Sequence, residues 1–229
     1  IDDYESIILS VFREHEIPVF LDKRRDLDAS ILSQYLLGLI DICIQGFTYD
    51  ALFKLLKTGL SPLSFHEVDV IENYILANGI KAGSFGKPWV YPYPNIRDEN
   101  LKVAYLEKVN IIREKIEELY APIVKNVKEA ENVEQVTRLI YEHLELTGVF
   151  EKSIAIINEI NDLEMAKEHE EVAKGINEVF DHLVEVLGEE KLSLEVYGDI
   201  VKQAMISLKI ALIPLTLDQV ILGDVARVK

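Results

Sequence analysis

Cysteine is almost missing from this sequence: Cys43 is the only one in 229 residues. One thiol builds neither an intramolecular disulfide nor a structural zinc site. Set within Leu39-Ile40-Asp41-Ile42-Cys43-Ile44, it reads as a small buried hydrophobe. Glycine and proline are sparse as well, at 11 and 7 residues, which excludes a fibrous or low-complexity chain. No apolar stretch approaches the roughly 20 residues that a membrane span requires, and no basic, apolar leader precedes the first helix-like residues. The expectation is a cytoplasmic protein with no membrane partner. The chain opens at Ile1 without a methionine and runs directly into helical pattern, so a segment of something longer is also expected.

Positive charge is scarce. The 24 lysines and arginines face 40 acidic residues, a net charge of -16, and phosphate binding needs clustered cations. Any nucleic-acid contact must therefore be local. The best basic cluster, Lys23-Arg24-Arg25, is the candidate DNA contact, although it reads equally as a solvated turn after a strand.

The motifs of catalysis are lacking too. No GxxxxGK[ST] phosphate loop occurs, because Gly83-Ser84-Phe85-Gly86-Lys87 has neither the spacing nor the hydroxyl that would bind magnesium. His15, His66, His143, His169 and His182 are scattered and form no HExxH pair. Acidic pairs such as Glu117-Glu118, Glu170-Glu171 and Glu189-Glu190 read as solvated helix or turn faces, with nothing nearby to separate their pKa values. From the residues alone, this chain is expected to have no catalytic, cofactor-binding or metal site.

What is present is helical periodicity. Hydrophobic residues at 49% and charged residues at 28% describe one main globular domain. Tyr4, Ile7, Ile8, Val11 and Phe12 share one face of a helix over 3–15. Pro18-Val19-Phe20-Leu21-Asp22 then reads as a short buried strand. From Ile31 to Cys43 apolar residues recur every three or four positions until Gly46, predicting a buried helix. Thr48 and Ser64 are expected to cap two more helices, the second through a capping box with Glu67, and Gly79 to stop it. Residues 79–96 break the rhythm, and Phe85, Trp89, Tyr91 and Tyr93 predict a compact aromatic loop that covers the core. Long antiparallel helices are expected over 98–188, broken or kinked at Pro122, capped at Asn132 and weakened across 164–171. A last helix should open at Ser193 and run through Ile210, and 219–223 reads as a second strand. A buried strand needs a partner for its backbone, so 18–22 and 219–223 are expected to converge, most simply in parallel, with the 3–15 helix packed over them.

Four segments carry a family resemblance. Ile17-Pro18-Val19-Phe20-Leu21-Asp22-Lys23-Arg24-Arg25, Phe53-Lys54-Leu55-Leu56-Lys57-Thr58-Gly59-Leu60, Glu72-Asn73-Tyr74-Ile75-Leu76-Ala77-Asn78-Gly79-Ile80 and Leu217-Asp218-Gln219-Val220-Ile221-Leu222-Gly223 are similar, in order and spacing, to AddB (RexB-type) subunits of bacterial ATP-dependent DNA helicase/exonucleases. The Trp89 loop has a counterpart there as well. The resemblance implies a mainly α fold: a helical domain at 26–213 inserted into a truncated α/β, RecA-like motor domain. That motor domain would be represented by 1–25 and by a return strand within 214–229. It further implies a parent subunit that uses ATP, Mg2+ and an iron–sulfur cluster. The parent would pair with an AddA-type helicase–nuclease and process double-stranded DNA ends for recombination and repair. The family's phosphate loop lies before this segment and its nuclease residues and cluster cysteines after it, so none maps to a residue here. Related motors have a Lys-Gly-Leu-Glu after the returning strand, where this chain has Gly223-Asp224-Val225-Ala226-Arg227. The alternative to an inserted segment is a free-standing helical protein-interaction module.

Overall fold

The computed structural model describes residues 4–22, 24–26, 30–94, 96–160, 163–207, 209–211 and 220–223. The described chain is mainly helical. It begins with α1 (Glu5–Glu14), β1 (Val19–Asp22) and β2 (Arg24–Asp26). Then come α2 (Ile31–Gln45), α3 (Tyr49–Leu56) and α4 (Phe65–Asn78). The long helices are α5 (Glu99–Glu129), α6 (Val133–Leu146), α7 (Val149–Ile160) and α8 (Leu163–Leu187). The chain closes with α9 (Leu194–Ser207), β3 (Lys209–Ala211) and β4 (Val220–Gly223).

Helix α2 is the axis of the core. Its continuous apolar sequence buries Leu32, Tyr35, Leu39 and Ile42 completely, and it packs against α3, α5, α7, α8 and α9. A helix apolar on every side is stable only when surrounded. The α2–α3 approach is close at Gly38, where an added Cβ would lie 3.0 Å from the Leu55 Cα. Ser30 caps α2 by accepting the Ser33 N–H, and Gly46 ends it at φ 70°.

Local chemistry sets most helix boundaries. Ser64 and Glu67 form the expected capping box, and Gly79 stops α4 in the left-handed region. Asn132 caps α6 by accepting the Gln135 N–H at 3.0 Å. Thr48 precedes α3 but does not cap it: its hydroxyl donates to Gln45 Oε1 at 3.4 Å, back toward α2. The N-terminus of α6 is also held by the end of α8, since Val133 N–H donates to Glu190 O and Glu134 N–H to Gly188 O, both at 3.0 Å. These bonds fix α6 and α8 as antiparallel neighbours.

Three elements differ from the sequence reading. Helix α5 runs unbroken through Pro122, because its buried stripe continues on both sides, from Ile112, Ile116 and Tyr120 to Ile123 and Val127. The weakened stretch 164–171 lies inside α8, and the α7–α8 connection at 161–162 lies outside the described residues. The last helix stops at Ser207, and Lys209–Ala211 is extended, with Ile210 opposite Arg25 in an antiparallel pair with β2. A strand partner there outweighs the helical spacing of Ile210.

The aromatic loop 79–96 covers the core, as expected. Phe85 and Trp89 are buried, Trp89 stacks on Tyr74 of α4 at 5.2 Å, and its indole N–H donates to Ser84 O at 2.9 Å. Asn110 of α5 brackets Trp89, accepting its backbone N–H at 2.8 Å and donating to its carbonyl at 2.9 Å. Arg113 of α5, itself buried, donates to Phe85 O and pairs with Glu117 at 2.7 Å and Glu114 at 2.9 Å. Tyr91 is exposed, yet its carbonyl accepts the Tyr74 hydroxyl.

Candidate functional site

Both ends of the helical body meet at two short ladders. β1 and β4 pair in parallel from Val19↔Val220 to Asp22↔Gly223, and Val220 N–H donates to Pro18 O at 2.8 Å. β2 and β3 pair antiparallel, from Arg24↔Ala211 to Asp26↔Lys209. Sequence reasoning anticipated the first pair. It missed the second, which replaces the expected turn at Arg24 and Arg25 with strand and lies against α8 and α9. Arg24 and Arg25 are thus placed by backbone pairing beside the entry and exit of the helical body, and Lys23 lies outside the described residues. Helix α1 does not have its apolar face packed over this pair, because Tyr4, Ile7 and Val11 are exposed.

A second feature is a groove of about 380 Å3 between α6 and α8. From α6 it takes Glu134, Thr137, Arg138 and Tyr141, at the spacing that puts four residues on one helix face. Helix α8 supplies Asn177, Phe180, Asp181 and Val184 at the same spacing. The floor is fixed: Phe180 is buried edge-on to Tyr141 at 6.5 Å, and the Thr137 hydroxyl meets Tyr197 of α9 at 3.1 Å. Burial pushes the Tyr141 phenol up, helped by the hydrogen bond and charge of Glu145 and by Asp181.

The third is a buried polar cluster at the centre. Tyr35 and Tyr120 share a hydrogen bond at 3.2 Å, Tyr120 donates to Ser61 Oγ at 3.1 Å, and Lys152 donates to Ser61 O at 3.1 Å. Thr147 donates to His143 O at 2.7 Å. The His143 ring lies 5.6 Å from the Tyr120 ring, and its Nε2 has no partner. Burial lowers its pKa to about 4. The same desolvation raises Tyr35 and Tyr120, pushes Cys43 up to about 12 and lowers Lys152. The hydroxyls of Tyr35, Tyr120 and Thr147 have protein partners, so the cluster links helices and presents no activated nucleophile. His143 was passed over as one of five scattered histidines, yet it falls on the buried stripe Val136, Ile140, His143, Leu144. That stripe is legible in sequence. Among the described residues no group of three His, Cys, Asp or Glu side chains could hold a metal ion, and no helix is long and apolar enough to cross a membrane.

The fold defines a class: a helical body whose chain enters and leaves through one small parallel strand pair. The whole chain is similar to a segment of bacterial proteins named as AddB-type subunits of the ATP-dependent helicase/deoxyribonuclease. The relative from Clostridium botulinum strain Hall is 34% identical over 236 residues, with 100% of this chain and 20% of the relative covered. The Clostridium kluyveri protein is 30% identical over 238 residues, at 100% and 21% coverage. That of Desulforudis audaxviator is 33% identical over 246 residues, at 98% and 21%. No protein-family model matches. The AddB-type resemblance carried by four short segments therefore extends over the full chain, which spans about a fifth of the length of these relatives.

Proposed function

We propose that this chain is a non-catalytic helical module of an ATP-dependent DNA helicase/exonuclease subunit that acts in double-strand break repair by homologous recombination. Residues 26–213 form a helical domain inserted into a RecA-like motor domain, to which 1–25 and 214–229 belong. The observation that carries this reading is the parallel β1–β4 pair. An insertion must leave and rejoin its host at one place. A lone pair of parallel strands also needs covering on both faces, which a larger host sheet supplies. ATP, Mg2+ and an iron–sulfur cluster belong to the rest of the parent subunit, and its partners are an AddA-type helicase–nuclease and double-stranded DNA ends in the cytoplasm. Lys23, Arg24 and Arg25 are its proposed DNA contact.

The test uses the purified chain with ATP and linear duplex DNA. The expected result is no DNA-stimulated hydrolysis, no degradation of the duplex, and weak binding that disappears as salt rises, because the net charge of -16 opposes a polyanion. DNA-stimulated hydrolysis that co-purifies with the chain, or tight binding in high salt, would contradict the reading. A reading frame that continues on both sides, with GxxxxGK[ST] upstream and a cysteine cluster downstream, would distinguish an inserted segment from a free-standing module.

A further inference from the structure

We propose that the α6–α8 groove docks a basic segment of a partner protein by seating one arginine side chain against the Tyr141 ring, between the carboxylates of Glu134 and Asp181. This site does not rest on the role proposed above. Its volume of about 380 Å3 falls in the range of roughly 300–1,000 Å3 typical of ligand sites. Its floor is rigid, since Tyr141 is fixed by Phe180 on one side and by Phe150, 6.2 Å away, on another. A prearranged aromatic surface binds a cation without first being ordered.

The rim supplies the charge. Among the described residues no cation pairs with Glu134 or Asp181, and the Asn177 amide makes no hydrogen bond to the protein. These are acceptors available to a guanidinium, whose planar donors can reach two carboxylates while its face lies on an aromatic ring. Arg138, the one cation on the walls, is drawn toward Glu142 at 3.9 Å. Glu142 and Glu145 on α6 and Glu185 on α8 continue the two stripes at helical spacing beyond the groove. A basic segment lying along it would therefore meet further opposite charge, and the net charge of -16 would steer it there.

The test titrates the isotope-labelled 229-residue chain with the peptide acetyl-Gly-Leu-Arg-Leu-Gly-amide and reads amide shifts by NMR. Saturable shifts confined to residues 134–141 and 177–184 are expected, with about tenfold weaker binding for Asp181→Asn and for Glu134→Gln. Both positions are exposed, so both variants keep the fold, which circular dichroism checks. A Glu129→Gln control outside the groove should bind like the unaltered chain. Equal binding of the norleucine counterpart would show an apolar groove with no charge selection and overturn the proposal. Absence of binding, or shifts spread over the acidic surface and unchanged by Asp181→Asn, would overturn it as well.

Discussion

His143 occupies a position where leucine would be the ordinary choice, and its buried Nε2 has no partner. The ring is neutral in the folded state because burial lowers its pKa from 6.5 to about 4. The unfolded chain takes up a proton near pH 6.5, whereas the folded chain resists it down to about 4. Stability from this residue is therefore constant above about pH 6.5 and is lost as pH falls from there through 4. The loss approaches about 3 kcal/mol at the acid end of that window. His143→Leu removes this dependence. Urea unfolding at pH 7 and pH 4 should show the variant gaining on the parent by that amount, and parallel curves would rule out a depressed pKa. Arg113 is the opposite case, a buried charge with its partners in place. Arg113→Met strands the Phe85 carbonyl and frees Glu117, at a cost of about 2–3 kcal/mol. Trp89 is the only tryptophan, so its emission should shift to the red as the loop loosens. Unchanged emission and stability would show that the clamp is idle. The sequence marks His143 through its place on an apolar stripe. It does not mark Arg113, whose partner carbonyl comes from a loop 28 residues away.

Among the elements, helices with strong local signals were legible and those decided by distant partners were not. Ser64, Glu67, Gly79 and Asn132 act within one turn of themselves, and all four do what their positions imply. Lys209–Ala211 continues the helical spacing of α9, yet pairs with Arg24–Asp26, nearly two hundred residues away. No local pattern contains that information. Pro122 shows tertiary packing overriding a local rule, because the helix continues where the ring removes the bond to the Glu118 carbonyl. Pro122 is exposed, so Pro122→Ala restores that bond without touching the core. The variant should be more stable by about 1–3 kcal/mol, read from its urea midpoint. A lower midpoint would mean that the ring makes packing contacts that the helix needs.

At the scale of the molecule, the groove and the strand neck lie in different parts of the chain and differ in legibility. The convergence of 18–22 and 219–223 follows from one requirement, that a buried strand must find a partner, and two strand signals were enough to apply it. The α6–α8 groove was invisible in sequence, since Glu134, Tyr141 and Asp181 each read as ordinary helix-surface residues until two helices pack side by side. The central claim is that the helical body is entered and left at one place. It is tested most directly by the distance between spin labels at Ile17 and Val220, measured by pulsed EPR on a Cys43→Ala background so that only the introduced thiols are labelled. Adjacent strands lie about 4.8 Å apart, and with flexible labels a single population below about 25 Å is expected. A population near the length of α5, whose 31 residues extend about 46 Å, would place the two ends at opposite poles and contradict that claim.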